Sequence, residues 1–116
     1  MTDWPTPCEL VFDELADNDP DRLVEWITTG NLGPTVLTFA LEALGRTGHP
    51  ASENILVAML DRESSLVREG ALIGLQGLQH VSVMTVEIVR ARSSSDCSKV
   101  VRTAALDTLD ALRELT

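Results

Sequence analysis

The chain has very few aromatic residues: they make up 3% of its 116 positions, and tyrosine is absent. A core must therefore be built mainly from Leu, Val, Ile and Ala, within a hydrophobic fraction of 44%. Helix-on-helix packing uses such side chains. No apolar run approaches the roughly 20 residues that a membrane-spanning helix needs, and the N-terminus lacks the pattern of a signal peptide. These absences predict a cytoplasmic protein.

Cysteine is also scarce, and Cys8 and Cys97 are far apart in the sequence. Two free thiols are therefore expected rather than a disulfide bridge. His49 and His80 fall in predicted turns, and no further ligands accompany them at the spacing of a metal site. A glycine-rich phosphate loop is absent as well. We therefore predict no catalytic residue, no metal and no cofactor, and a protein that is not an enzyme.

Three helix-like stretches of the sequence carry one apolar pattern. They are Val36, Ala40, Leu41, Leu44; then Val67, Ala71, Leu72, Leu75; then Val101, Ala105, Leu106, Leu109. The offset is 31 residues from the first stretch to the second and 34 from the second to the third. Similarity at such a period is typical of stacked helical repeats, in which neighbouring units cover each other's apolar faces. Because a solenoid presents an extended surface, the pattern favours a binding protein.

Start and stop signals divide the chain into short helices. Thr6-Pro7 predicts the start of a first helix. Helix pairs follow at 20–29 with 34–46, 50–61 with 65–79, and 82–92 with 97–115, the last two helices being joined by a polar loop. Short connections make neighbouring helices antiparallel. The sequence therefore predicts an all-α fold, an α-solenoid of three antiparallel helix pairs plus a short N-terminal helix, in a single domain over residues 1–116.

Small residues are concentrated in the predicted helix 65–79. Gly70, Gly74 and Gly77 lie in its interior or near its end, where three glycines cost about 2–3 kcal/mol relative to alanine. A close approach by a neighbouring helix would offset that cost. We therefore assign Gly70 and Gly74 a structural role.

The acidic charge is concentrated at the N-terminus. The chain has a net charge of −9; residues 1–33 hold eight acids and one base, hence −7, and the other residues hold ten acids and eight bases, hence −2. This excess argues against nucleic acid or an anionic membrane as partner and favours a basic protein surface. Solubility alone is the alternative explanation. The candidate protein-binding residues are Trp4, Asp13, Glu14, Asp17, Asp21 and Glu25.

The middle of the chain resembles a HEAT repeat. The similarity lies in Leu44-Gly45-Arg46-Thr47-Gly48-His49-Pro50, in Ile55 to Leu60 with Asp61, in Val67-Arg68 with Ala71 and Leu72, and in Val101-Arg102-Thr103-Ala104-Ala105-Leu106. Specifically, it resembles the short HEAT-like kind that is also found in phycobilisome lyase-type proteins. Residues 34–116 contain the best-matching repeats, whereas the acidic N-terminal helices within 1–33 match poorly.

The resemblance implies a right-handed superhelix with first helices on the convex side and second helices on the concave side. It implies protein–protein binding and no catalysis. It also implies that Asp61, Arg68 and Arg102 tie adjacent turns together by hydrogen bonds. The turns are not equivalent, since Asp61 lies seven residues before Arg68 whereas Asp96 lies six before Arg102.

The function expected from the sequence is that of a non-catalytic protein-binding module. One specific version is an acidic inhibitor, such as an immunity-type protein that masks a basic partner. Two alternatives stay open: an enzyme or enzyme helper of the HEAT-like lyase kind, with Cys8 or Cys97 as the first reactive candidates, and a structural subunit that self-associates through its open ends. Neither the oligomeric state nor the choice between the acidic third and the concave face follows from the sequence.

Overall fold

The computed structural model describes residues 7–113, with side chains from residue 10 onwards. The regular secondary structure of this part of the chain is all α-helix, with no strand. The helices are α1 (Pro7–Asn18), α2 (Pro20–Thr29), α3 (Pro34–Leu44), α4 (Ser52–Met59), α5 (Ser65–Gln76), α6 (Val83–Ser95) and α7 (Lys99–Arg113). The predicted all-α, solenoid-like architecture is confirmed.

Side-chain capping sets the starts of α2, α5 and α6. Asp19 accepts a hydrogen bond from the Arg22 N–H ahead of α2, and Ser64 and Ser82 play the same part ahead of α5 and α6. Side-chain oxygens at this position satisfy amide groups that have no partner within the helix. The starts predicted at Pro20 and Ser65 are therefore correct.

The predicted loop after residue 92 is wrong, because α6 continues through Ser95. Ser93 donates to the carbonyl of Arg90, and Ser95 donates to the carbonyl of Ala91. Serine side chains that bond back to the preceding turn are compatible with a helix, even though serine is also common in loops. Because α7 begins at Lys99 and not at residue 97, the turn before it lies at 96–98.

The helices form one continuous row with three helices placed beside it. The row consists of α1, α3, α5 and α7, in which α3 packs against α1 and α5, and α5 packs against α7. Of the flanking helices, α2 packs on α1 and α3, α4 on α5, and α6 on α7. The short N-terminal helix α1 thus lies in the row formed by the second helices of the pairs, and no described helix precedes it.

The predicted apolar stripes form the core of this row. Leu41, Leu72 and Val101 are fully buried, as are the alanines at the repeated small position, Ala40, Ala71 and Ala105. The last repeat differs: Leu106 is half exposed. No helix follows α7 in the described part of the chain, so nothing there covers the outer side of this last unit.

Glycines allow α3 and α5 to pack with their backbones in contact. A Cβ atom at position 74 would lie 2.6 Å from the carbonyl oxygen of Leu41, and one at position 70 would lie 2.7 Å from the Thr38 Cγ2 methyl. A side chain at Gly45, just past α3, would meet the backbone of Gly74. The close approach predicted from the glycines of α5 is therefore confirmed, and α3 is the helix that approaches.

Replacing Gly74 with serine should destabilise the protein by about 1–3 kcal/mol, because the new side chain overpacks the α3–α5 contact. The matched control is Gly33→Ser, since nothing lies within 4 Å of a Cβ atom at position 33 and serine suits the residue before a helix. Urea unfolding followed by circular dichroism measures both variants. Equal stability of the two variants would contradict the close approach.

Candidate protein-binding surface

The acidic residues predicted to bind a partner lie on the outer sides of α1 and α2. Each helix turns an apolar stripe towards the stack, with Phe12 and Ala16 buried on α1, and Leu23 and Ile27 buried on α2. The polar positions of both helices therefore face solvent. The exposed acids there are Asp13, Glu14, Asp17, Asp21 and Glu25. Trp4, the sixth predicted residue, lies outside the described residues.

Two of these five acids have partners in the turn between α3 and α4. Asp13 forms an ion pair with Arg46, and Asp21 Oδ1 lies 2.7 Å from His49 Nε2. The other ring nitrogen of His49 accepts a hydrogen bond from the Ala51 N–H at 3.0 Å. A neutral His49 ring therefore carries its hydrogen on Nε2 and donates it to Asp21.

These two contacts anchor the N-terminal helices to the following repeat. The paired residues are 33 and 28 positions apart, which is close to one repeat. Exposed ion pairs contribute little stability, but Arg46 offsets the charge of Asp13, and the contact with His49 occupies the Asp21 carboxylate. The prediction that all five acids are available to a partner therefore needs refinement.

The remaining three acids, Glu14, Asp17 and Glu25, have no ion-pair partner among the described side chains. Glu14 and Asp17 are three residues apart and so project from the same side of α1. The one basic residue on α1 and α2, Arg22, lies 3.5 Å from Asp19. Three exposed carboxylates at this end of the stack thus have no ion-pair partner among the described side chains, and they can accept hydrogen bonds from Lys or Arg side chains.

Both histidines line one cleft of about 380 Å³, between the α3–α4 and α5–α6 turns. Arg46 and Glu53 also line it, but their charged groups are already engaged, with Asp13 and with Ser82 and Thr85 respectively. Among the side chains of residues 10–113 no three His, Cys, Asp or Glu are grouped so as to hold a metal ion. No helix within residues 7–113 is long and apolar enough to span a membrane. Cys97 is an exposed free thiol, whereas the side chain of Cys8 is not described.

Two of the residues assigned structural roles, Arg68 and Arg102, meet at Asp96 in the turn before α7. The side chains of Arg68 and Asp96 are only 8% and 1% exposed. Arg68 donates from Nε and Nη2 to the two Asp96 carboxylate oxygens at 2.9 and 3.0 Å, and Arg102 donates to the Asp96 carbonyl at 2.7 Å. Asp61 instead pairs with Arg92, at 2.8 Å.

Arg68 also reaches the turn ahead of its own helix, donating to the carbonyls of Arg62 and Glu63. It therefore joins the turn before α5 to the turn before α7. Burial raises the pKa of Asp96, but hydrogen bonds from Arg68 and from the Ser98 N–H outweigh it and hold that pKa below its ordinary value. The hydrogen bond with Asp96 in turn raises the pKa of Arg68. Both groups are charged at neutral pH.

The sequence patterns did not identify Asp96 as the centre of this network, and they did not identify Glu53. The Glu53 carboxylate accepts hydrogen bonds from the Ser82 N–H, the Ser82 hydroxyl and the Thr85 hydroxyl, at the start of α6. Burial raises the pKa of Glu53, but these bonds lower it overall. Glu53 and Ser82 are 29 residues apart, and Arg68 and Asp96 are 28 apart. Polar pairs separated by one repeat are the signal that could have identified them.

A family model described as HEAT repeats matches residues 21–110, which is more than half of the chain. The match begins within α2 and ends within α7, so it reaches further towards the N-terminus than the resemblance read from the sequence. Comparison with curated proteins gave no match, and comparison with solved structures gave none. The finer likeness to phycobilisome lyase-type proteins stays a prediction.

Replacing Asp96 with asparagine should lower the stability at pH 7 by about 3–5 kcal/mol, because Arg68 is left as a buried cation without its counter-charge. Asp110→Asn is the control, since Asp110 is exposed on α7. Urea unfolding at several pH values measures the loss.

The pH dependence follows from the lowered pKa of Asp96. The charged carboxylate stabilises the fold fully above its unfolded pKa of about 3.9, and this contribution is lost as the pH falls through the lower folded value. The gap between the wild-type protein and the Asp96→Asn variant should therefore narrow below about pH 4. A gap that is absent at pH 7, or that is unchanged on acidification, would contradict this role for Asp96.

Proposed function

The chain belongs to the HEAT repeat family, and from that premise we propose that it is a non-catalytic module whose acidic N-terminal helices bind a basic surface of another protein. HEAT repeats generally mediate protein–protein interactions and generally act as non-catalytic scaffolds. The observation that carries the proposal is the group of three exposed carboxylates, Glu14, Asp17 and Glu25, that have no ion-pair partner among the described side chains.

Charge of one sign on one end of the molecule suits a partner of opposite charge. Complementary charges raise the rate of encounter and suppress wrong partners. The links from Arg46 to Asp13 and from His49 to Asp21 hold the acidic helices against α3 and the turn that follows it. A partner would then meet a preformed surface, which lowers the entropic cost of binding.

The specific version of the proposal is an inhibitor of the immunity type, which covers a basic region of its target. Glu14, Asp17 and Glu25 are the residues expected to dominate, with Asp13 and Asp21 contributing less because they already have partners. Trp4 is proposed as an additional contact, since tryptophan is enriched where proteins bind each other.

The test is reversal of the three uncompensated charges, Glu14→Lys, Asp17→Lys and Glu25→Lys, in one chain. The control carries the same change in net charge at exposed acids elsewhere: Glu63→Lys, Asp107→Lys and Asp110→Lys. Affinity capture from the native host, followed by mass spectrometry, identifies the partner of the wild-type protein. Its affinity for each variant is then measured at low and high salt.

We expect the wild-type and control proteins to capture the same basic partner and the reversed variant to bind it about tenfold more weakly or worse. Binding to the wild-type protein should also weaken as salt is added, because the contacts are exposed charges. Circular dichroism should show equal helix content in all three proteins, since the altered side chains are exposed. A reversed variant that binds as well as the control would refute the proposal.

A further inference from the structure

The N-terminal end of the stack exposes apolar side chains among its acids. Leu10 and Val11 on α1 are 54% and 44% exposed, and Trp26 on α2 is 39% exposed. Terminal units of repeat proteins ordinarily present a polar outer face, because no neighbouring unit covers them. Large exposed apolar groups at this end are therefore not explained by the need to keep a terminal unit soluble.

Trp26 is held in place by a contact beneath it. Its ring meets the buried ring of Phe12 edge to face, with centroids 6.3 Å apart and planes at 85°. This contact also joins α2 to α1. A tryptophan fixed on one side and open on the other is a typical anchor for a partner, since little conformational entropy is lost when its open side is covered.

The other end of the stack is apolar as well but differs in charge. Val83 and Met84 at the start of α6 are 78% and 70% exposed. The charged residues that follow them on α6, Glu87 and Arg90, form an ion pair with each other. The helices at this end, α6 and α7, carry charges of both signs and more bases than acids, whereas the exposed charges of α1 and α2 are acidic except for Arg22.

We propose that the exposed side of α1, where Leu10 and Val11 lie beside Glu14 and Asp17, together with Trp26 and Glu25 of the adjoining α2, binds an amphipathic helix of the partner that carries Lys or Arg beside its apolar side. This inference rests on the proposed function and names the element that the acidic end recognises. An apolar centre surrounded by charges is the usual arrangement of a protein interface.

Two features favour a helix as the occupant. The row α1, α3, α5, α7 is built by helices packed side by side, and the outer side of α1 is the position where the row would continue. Basic residues on that helix would pair with the three uncompensated carboxylates, and an arginine could lie over the open face of Trp26 in a cation–π contact. Apolar contact with Leu10 and Val11 would supply the rest of the affinity.

The test uses the fluorescence of Trp26 with three designed peptides as probes. The chain contains two tryptophans and no tyrosine, so Trp4→Phe leaves Trp26 as the single reporter. The first peptide is an amphipathic helix of Leu and Lys. The second has the same composition in an order that gives no apolar side, and the third has the apolar pattern of the first with Glu in place of Lys.

Only the first peptide should shift the Trp26 emission to shorter wavelength and protect it from a soluble quencher. Its affinity should exceed that of the second peptide by about tenfold, and the third should not bind. In the same background, Leu10→Ser with Val11→Ser should weaken the first peptide by about tenfold, whereas Val83→Ser with Met84→Ser at the opposite end should not. Thermal melts should be equal for both pairs of substitutions.

The outcomes separate this inference from the proposed function. Equal binding of the first and second peptides, with no effect of the substitutions at Leu10 and Val11, would overturn the amphipathic helix and leave recognition by charge intact. If the charge reversal at Glu14, Asp17 and Glu25 left binding of both basic peptides unchanged, recognition by charge would be refuted. The inference of a bound amphipathic helix would then be refuted as well.

Discussion

The direct packing of α3 against α5 is the constraint on which the rest of the structure depends. Gly45, Gly70 and Gly74 lack the side chains that would hold the two backbones apart. The two central repeats therefore pack with α3 directly against α5. Every other unit is then added to a neighbour that is already fixed: α1 packs on α3, and α7 packs on α5. In such a row stability comes from nearest-neighbour contacts, so the centre is held from two sides and the ends from one.

Polar links follow the same one-repeat spacing as the apolar stripes. Arg68 with Asp96, Glu53 with Ser82, and Asp21 with His49 each join one unit to the next. The buried pair is strong evidence for a fixed register of the last repeat, because an unpaired charge at that depth would be costly. The exposed links near the N-terminus contribute less to stability, but they hold the acidic helices in a defined position, which a binding surface requires.

The fold could be predicted from the sequence because apolar spacing and capping residues are local signals. The spacing of Val67, Ala71 and Leu75 indicates both that the segment is a helix and which side of that helix is buried. The extension of α6 through Ser95 could not be predicted, since serine bonds equally well to a helical turn or within a loop. The partners of Asp13 and Asp21 were also beyond reach, because Arg46 and His49 approach them only once the repeats have stacked. Trp4 was predicted to bind a partner and Trp26 was not. The exposure of Trp26 depends on which side of α2 the stack covers, and the sequence does not show this.

Hydrogen exchange of backbone amides in the native protein tests most directly whether the central repeats support the rest. Each amide reports the free energy of the opening that exposes it. Because neighbouring helices of the row cover each other's apolar sides, the slowest exchange is expected in α3 and α5. Protection should fall towards α1 on one side and α7 on the other. Slowest exchange in α1 or α7, with the α3 and α5 amides opening first, would contradict it.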